Sequence, residues 1–329
     1  MERISTVARD RSARPHCWSV LIIAAVACVE LVSLSWGADP SRPAGKARRP
    51  QRPTSQTQRP TSEQSADSRD AFEAPGDVDP AADVRENPPP TNPVSDPLPQ
   101  HVHPKHPLVP ALKMAYASRG TLRTVRDYSA QFVKKERIGT QYIVHSMDML
   151  FREQPFSVYL EFREPNVGRQ VLYVQGANNN QLLAKEAGIK GLVGTVPLNP
   201  TDPMAMSESR HPITQIGISN MLEAVIRQWE EEAKFGEIDV QYYPNAKLSD
   251  FPVRMIRTMH PTRRRQFNFH MTRIFLDDKT LFPVRVEQYD WPQREGGEPV
   301  LVELYMYSGV RTNQGFTDQT FDPRKYRLR

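Results

Sequence analysis

Cysteine is almost missing from this sequence. Its 329 residues include two, Cys17 and Cys28, and both sit in an N-terminal stretch that reads as a leader. With the leader removed, neither a structural disulfide nor a thiolate zinc site can form. Reaction motifs are missing too: there is no G-x-S-x-G, no H-E-x-x-H and no P-loop. No catalytic residue, cofactor site or metal ligand is therefore assigned, and the chain reads as a non-enzyme. The formal net charge is only +5, and no Lys/Arg block is interleaved with aromatics, so a nucleic-acid partner is not expected. Apolar residues make up 38%, low for a wholly globular chain, while proline reaches 30 residues. The prolines are clustered. That unevenness indicates one ordered part and one disordered part, rather than the two domains the length would allow.

The N-terminus carries Arg3, Arg9, Arg11 and Arg14, then an apolar run from Trp18 to Trp36 broken by Glu30, then Gly37 and Ala38. Basic, apolar and small residues in that order read as a secretory signal peptide over 1–38. An uncleaved signal anchor, or a lipoprotein signal using Cys28 after Ala27, stays open beside it. All three export the protein to the periplasm or cell envelope. Residues 39–106 contain 14 prolines in 68 positions, with mostly Ser, Thr, Gln, Arg, Asp and Ala between them. Such a segment buries too little apolar surface to offset its chain entropy and reads as a disordered linker. His101, His103 and His106 lie within it as HVHPKH. A weak metal site is one reading of them; a disordered junction is the simpler one.

The domain is expected over 107–329. Leu108, Leu112, Ala115 and Leu122 recur at helical spacing, with Gly120 as a point where the helix could break. From Tyr128 to Pro165 three strand-like runs follow one another. In the second, Met147, Met149 and Phe151 share a face; in the third, Val158, Leu160 and Phe162 do. Residues 169–175 and 179–186 read as further strands. Residues 187–212, punctuated by Gly and Pro, read as a long loop and candidate flap with one helical turn near Met204 to Ser207. Ile218, Met221, Leu222, Val225, Ile226 and Trp229 make the stripe of a second helix over 213–235. Asn220 and Glu223 have capping-box spacing at its start, and Glu230 to Lys234 read as its solvated end. Five more strands are expected at 238–243, 253–259, 267–276, 284–289 and 300–307, with Asp277 to Thr280 as a hairpin turn. The ordered part should end near Asp322-Pro323.

His145, His211, His260 and His270 are scattered through the chain. Arg263-Arg264-Arg265 is accounted for by a solvated hairpin tip, with anionic lipid head groups as the alternative contact. Met147, Met149, Met255, Met259 and Met271 enrich the strands in a side chain that adapts to irregular apolar partners.

The segments FVKKERIG at 132–139, PFSVYLEF at 155–162, HPITQIGISN at 211–220, RIFLDD at 273–278, YDWP at 289–292 and GFTDQTFDP at 315–323 resemble a bacterial family of secreted proteins known only as a domain of unknown function, numbered fifteen seventy-one. More distantly, Ala130-x-Phe132, Pro155-Phe156 and Glu164-Pro165, after a leading helix, resemble the start of the outer-membrane lipoprotein carrier fold. That resemblance implies an α+β domain. Its large curved antiparallel sheet would form a half-open barrel with helices packed on the concave face. It also implies an acyl chain as cargo. On that basis Met147, Met149, Phe151, Val158, Leu160 and Phe162 are the expected ligand-binding residues, and lipid, a lipoprotein acyl chain or an envelope protein the expected partner, with peripheral membrane contact. The alternative is a structural or interaction module whose barrel is filled by its own helices.

Overall fold

A computed structural model describes residues 96–328. The expected signal peptide over 1–38 and the linker as far as residue 95 lie outside the described residues. Among the described residues, two long helices, one short helix and eleven strands organise the domain. Helix α1 is Val109–Leu122. Strands β1 Asp127–Ile138, β2 Gln141–Arg152, β3 Ser157–Glu164, β4 Gln170–Val174, β5 Leu182–Lys185 and β6 Thr195–Leu198 follow in order. After a short turn of helix, α2 Pro203–Met206, the chain runs into α3 Ile218–Glu232. The remaining strands are β7 Asp239–Leu248, β8 Phe251–Met259, β9 Met271–Asp277, β10 Pro283–Asp290 and β11 Val300–Thr312.

All eleven strands form one sheet in the order β6-β5-β4-β3-β2-β1-β11-β10-β9-β8-β7, and every pairing is antiparallel. Two meanders thus run outward from a central β1–β11 pair. The sheet is curved and stays open, because β6 and β7 are its edges. The connection between them must travel from one edge to the other. It does so through α3, which buries Ile218, Met221, Leu222, Val225, Ile226 and Trp229 in the main core. The result is the α+β half-open barrel expected, with helices on the concave face. Both edges carry a proline, Pro197 in β6 and Pro244 in β7. Strand β7 also has a register break between Tyr243 and Ala246. Such features blunt an edge against further pairing.

Helix α1 runs through Gly120 without a break. Its buried residues include Val109, Ala111, Leu112, Met114, Ala115, Tyr116, Ser118 and Leu122, so it is enclosed on several sides rather than amphipathic. The capping box at the start of α3 does not form. The N-cap is Gly217, Asn220 Nδ2 donates to the Ile216 carbonyl at 3.0 Å, and Glu223 faces Arg119. Nor is the end of α3 wholly solvated: Glu232 is 3% exposed. Strand β6 falls inside the stretch read as a loop. Met255 points to the face opposite Met147 and Met149, packing with Tyr243, Val253, Phe275 and Val284. The C-terminal tail continues past Pro323. Phe321 and Leu328 cover the outer face of β3 to β5 through Tyr159, Leu172 and Leu183. At the other end, residues 96–106 are packed on the domain. Val102 and Leu108 are buried, His101 Nε2 reaches the Glu230 carbonyl at 2.9 Å, and His106 Nε2 reaches the Phe235 carbonyl at 2.7 Å. Two of the three HVHPKH histidines therefore fasten this segment to the end of α3, and the packed chain begins upstream of 107.

Candidate functional site

The concave face is built in rows by strand register. Phe132 stands opposite Met147, and Met147 opposite Phe162. The next row is Ala130, Met149 and Leu160; the third is Tyr128, Phe151 and Val158. Because side chains alternate along a strand, all nine point the same way. The six expected ligand-binding residues are thus brought together as two adjacent columns. They are also covered: Met147, Met149, Phe151, Val158, Leu160 and Phe162 are at most 7% exposed, within the core shared with α1 and α3. Tyr128 stacks on Phe151 with centroids 4.8 Å apart, and Phe132 on Tyr307 at 4.7 Å.

Helix α3 is held on this floor at both ends. At its start, Gly217 N–H donates to Tyr307 Oη at 3.1 Å and Ile218 N–H to Tyr128 Oη at 3.0 Å. These bonds serve two of the backbone donors that a helix start leaves unpaired. At its other end, Trp229 Nε1 donates to Thr258 Oγ1 at 3.3 Å. Gln228 Nε2 donates to Thr272 Oγ1 at 3.1 Å, and its carbonyl oxygen accepts from Gln288 Nε2 at 2.6 Å. Across to α1, Tyr116 Oη donates to Glu230 Oε1 at 2.7 Å and Arg119 pairs with Glu223 at 3.4 Å.

Toward one end of the strands the same rows turn ionic. Lys134 stands opposite His145 and Tyr305; Glu136 stands opposite Glu303. Lys134, Glu136, His145 and Glu303 are all under 10% exposed. The segment 207–211, inside the expected flap, seals this end. Lys134 Nζ donates to Glu136 Oε2 at 3.0 Å, to Ser209 Oγ at 2.5 Å and to the Glu208 carbonyl at 2.8 Å. Tyr305 Oη donates to the other oxygen of Glu136. Arg210 Nε and His211 Nε2 meet Glu303 Oε2 at 2.8 and 3.0 Å, and Arg169 pairs with Glu186 and Glu208.

The charges here are tuned by their surroundings. Burial, followed by the nearby Lys134 ammonium, pushes the His145 imidazolium down to about 4, although Glu208 at 3.4 Å works the other way. The hydrogen bond to Glu303 raises His211 above the ordinary histidine value. Burial opposes ionisation of Glu303, but His211 and Arg210 outweigh it and hold the carboxyl low. Burial first, then Glu303 and Glu136, push the Tyr305 phenol far above its usual value. Lys134 Nζ thus bridges the sheet carboxylate Glu136 to both the backbone and a side chain of the loop. The cluster is an ionic latch between sheet and loop.

The histidines read as scattered each find a carboxylate or a carbonyl. His260 lies 3.3 Å from Glu232 and stacks on Phe267, and His270 Nδ1 meets the His260 carbonyl at 2.9 Å. They do so in separate places, and among the described residues no group of three or more His, Cys, Asp or Glu is disposed to hold a metal ion. Asp277 serves its turn, accepting from the backbone N–H of Lys279 and Thr280 at 3.0 and 2.6 Å. Sequence reasoning missed the latch. The only local signal was the run of charges at alternate positions 134 and 136 in an otherwise apolar row.

Two surface cavities lie away from the apolar floor. One, of about 570 Å³, is bounded by Tyr159, Glu161, Gln170, Lys185 and Tyr326. The other, of about 550 Å³, is bounded by arginines around Trp291.

The model of a family described as proteins of unknown function, DUF1571, matches residues 125–328. No curated protein matches the chain. Among solved structures, the Mycobacterium tuberculosis lipoprotein LppX is similar at 12% identity and a TM-score of 0.36, over 65% of this chain and 100% of that one. A LolA superfamily protein from Nitrosomonas europaea is similar at 10% identity and a TM-score of 0.28, over 64% and 97%. MucB in complex with MucA from Pseudomonas aeruginosa is similar at 13% identity and a TM-score of 0.34, over 64% of this chain and 60% of that one.

Proposed function

The chain belongs to the DUF1571 family, which supplies no activity, and we propose from the geometry that it is a non-catalytic binding module of the cell envelope with a self-filled half-barrel. The observation that supports this is the state of the concave floor. All six residues expected to line a ligand cavity are at most 7% exposed beneath α1 and α3. An acyl chain could reach them only after α3 left the sheet. That departure would break the Tyr128, Tyr307, Thr258 and Thr272 contacts and expose the whole apolar stripe. Fully exposing one such side chain costs about 1.5–3 kcal/mol, and α3 buries six of them. Partner contacts then fall to the rims, loops and outer face. Export rests on the leader composition over 1–38. Among the described residues no helix is long and apolar enough to cross a membrane.

The test is native mass spectrometry, with lipid extraction, of the full-length protein purified from its own envelope, beside hydrogen exchange of α3. A filled barrel gives no bound acyl species, and α3 amides that exchange only with global unfolding. A stoichiometric acyl ligand, together with early opening of α3, overturns this reading and restores Met147, Met149, Phe151, Val158, Leu160 and Phe162 as the lining of a lipid site.

A further inference from the structure

The arginine-lined cavity lies apart from the six floor residues. Arg263, Arg264 and Arg265 lie in the connection between β8 and β9, and all three are exposed. The fold brings two more guanidiniums to them, Arg137 from the end of β1 and Arg210 from the latch segment, around a hollow of about 550 Å³. Carboxylates only partly balance these five cations. Asp290 is shared by Arg137 at 3.4 Å and Arg263 at 3.9 Å, Glu237 meets Arg264, and Glu303 is shared by Arg210 and His211. Arg265 has no ionic partner among the described residues. A cavity wall of this composition holds a positive field that its own acids do not cancel.

Its aromatic content gives the hollow a second, independent feature. Trp291 forms part of the wall, with the Arg263 guanidinium 5.4 Å above its ring. Its indole Nε1 is buried without a hydrogen-bond partner among the described residues. Guanidinium forks match the paired oxygens of phosphate, and several of them converge here.

We propose that this cavity binds a phosphate group, presented either by a lipid head group or by a soluble phosphate compound. The site does not depend on whether the concave face is filled, since none of the six floor residues lines it.

The experiment uses the full-length protein. In one arm, inorganic pyrophosphate is titrated and binding is read by calorimetry. In the other, the protein is sedimented with phosphatidylglycerol vesicles, and with phosphatidylcholine vesicles for comparison. The test variant is the double substitution Arg263→Gln with Arg265→Gln, both in an exposed connection. The control is Lys247→Gln with Lys279→Gln, which removes the same charge from exposed positions at the opposite ends of the strands. The expected result is saturable binding in at least one arm, weakened about thirtyfold in the arginine variant and within twofold of wild type in the lysine control. Binding in the pyrophosphate arm identifies a soluble ligand. Binding confined to phosphatidylglycerol vesicles identifies a head group. Absence of binding in both arms overturns the proposal, as does equal weakening in the two double variants. Unchanged melting temperatures for both variants separate a lost site from a lost fold.

Discussion

At the residue scale, two glycines illustrate how position decides the sign of a substitution. Gly217 has φ +120°, and a Cβ built there would lie 2.6 Å from Phe151 Cε2. Backbone strain and overlap with a packed ring act together, so Gly217→Ala should lower stability by about 3 kcal/mol or more in urea denaturation. Gly120 lies inside α1 with nothing within 4 Å of such a Cβ. There Gly120→Ala should raise stability by about 0.5–1 kcal/mol, by reducing the freedom of the unfolded chain. The two histidines of the latch should move stability in opposite senses with pH. His145 has its folded value depressed to about 4, so the neutral ring is favoured. Its contribution is present above the unfolded value and is lost as pH falls from about 6.5 toward 4. His211 has a raised folded value, so its contribution is present below about 6.5 and is lost as pH rises through the raised value. Urea midpoints between pH 4 and 8 check both. The acid-side decline should flatten in His145→Gln by on the order of 3 kcal/mol, whereas His211→Gln should differ from wild type only toward the acid side, and by under about 1 kcal/mol because that ring is half exposed.

Elements show what was legible in the sequence and what was not. The alternation of Met147, Met149, Phe151 and of Val158, Leu160, Phe162 was readable because a strand's period is local. Register then placed them in rows as expected. The stripe of α3 was readable for the same reason. What covers a strand face is decided by residues far away in the chain, and local patterns carry no trace of it. Glu208 and Ser209 meet Lys134 across more than seventy residues. The capping box failed because the start of α3 takes its acceptors from Tyr128 and Tyr307, each ninety residues distant. Those phenols give a prediction for the element. Removing both hydroxyls, as Tyr128→Phe with Tyr307→Phe, leaves two buried backbone donors unpaired, at a cost of about 1–3 kcal/mol each. Amide exchange at residues 217–222 should accelerate well before that of β1 and β2. Uniform acceleration across the domain would mean that the pins hold the whole fold and not the helix start.

For the whole molecule, the decisive feature is an open sheet whose two edges are joined by a helix across its hollow. Helices α1 and α3 lie against that hollow and share its buried core. The segment before α1 completes the cover. Val102 is 4% exposed and Leu98 packs on the main core. Asp96 receives Arg119 at 2.7 Å and Arg123 at 2.9 Å. Burial disfavours the charged form of Asp96, yet the two guanidiniums still hold its carboxyl below the ordinary value. His101 and His106 add contacts to carbonyls at the end of α3. Each exposed ion pair contributes about 1 kcal/mol at most, whereas burying one valine contributes about 1.5–3 kcal/mol. The segment should therefore stabilise the domain mainly through its apolar contacts. A chain starting at residue 107 should melt about 10 °C below one starting at residue 96, since each kcal/mol corresponds to roughly 2–4 °C in a domain of this size. Coincident melting of the two shortened chains would show that residues 96–106 rest on the surface without supporting it. A gap between the two shortened chains that persists or widens in high salt would assign the effect to the hydrophobic contacts of Leu98 and Val102, because salt screens the Asp96 pairs and strengthens apolar burial; a gap that closes would assign it to the ion pairs.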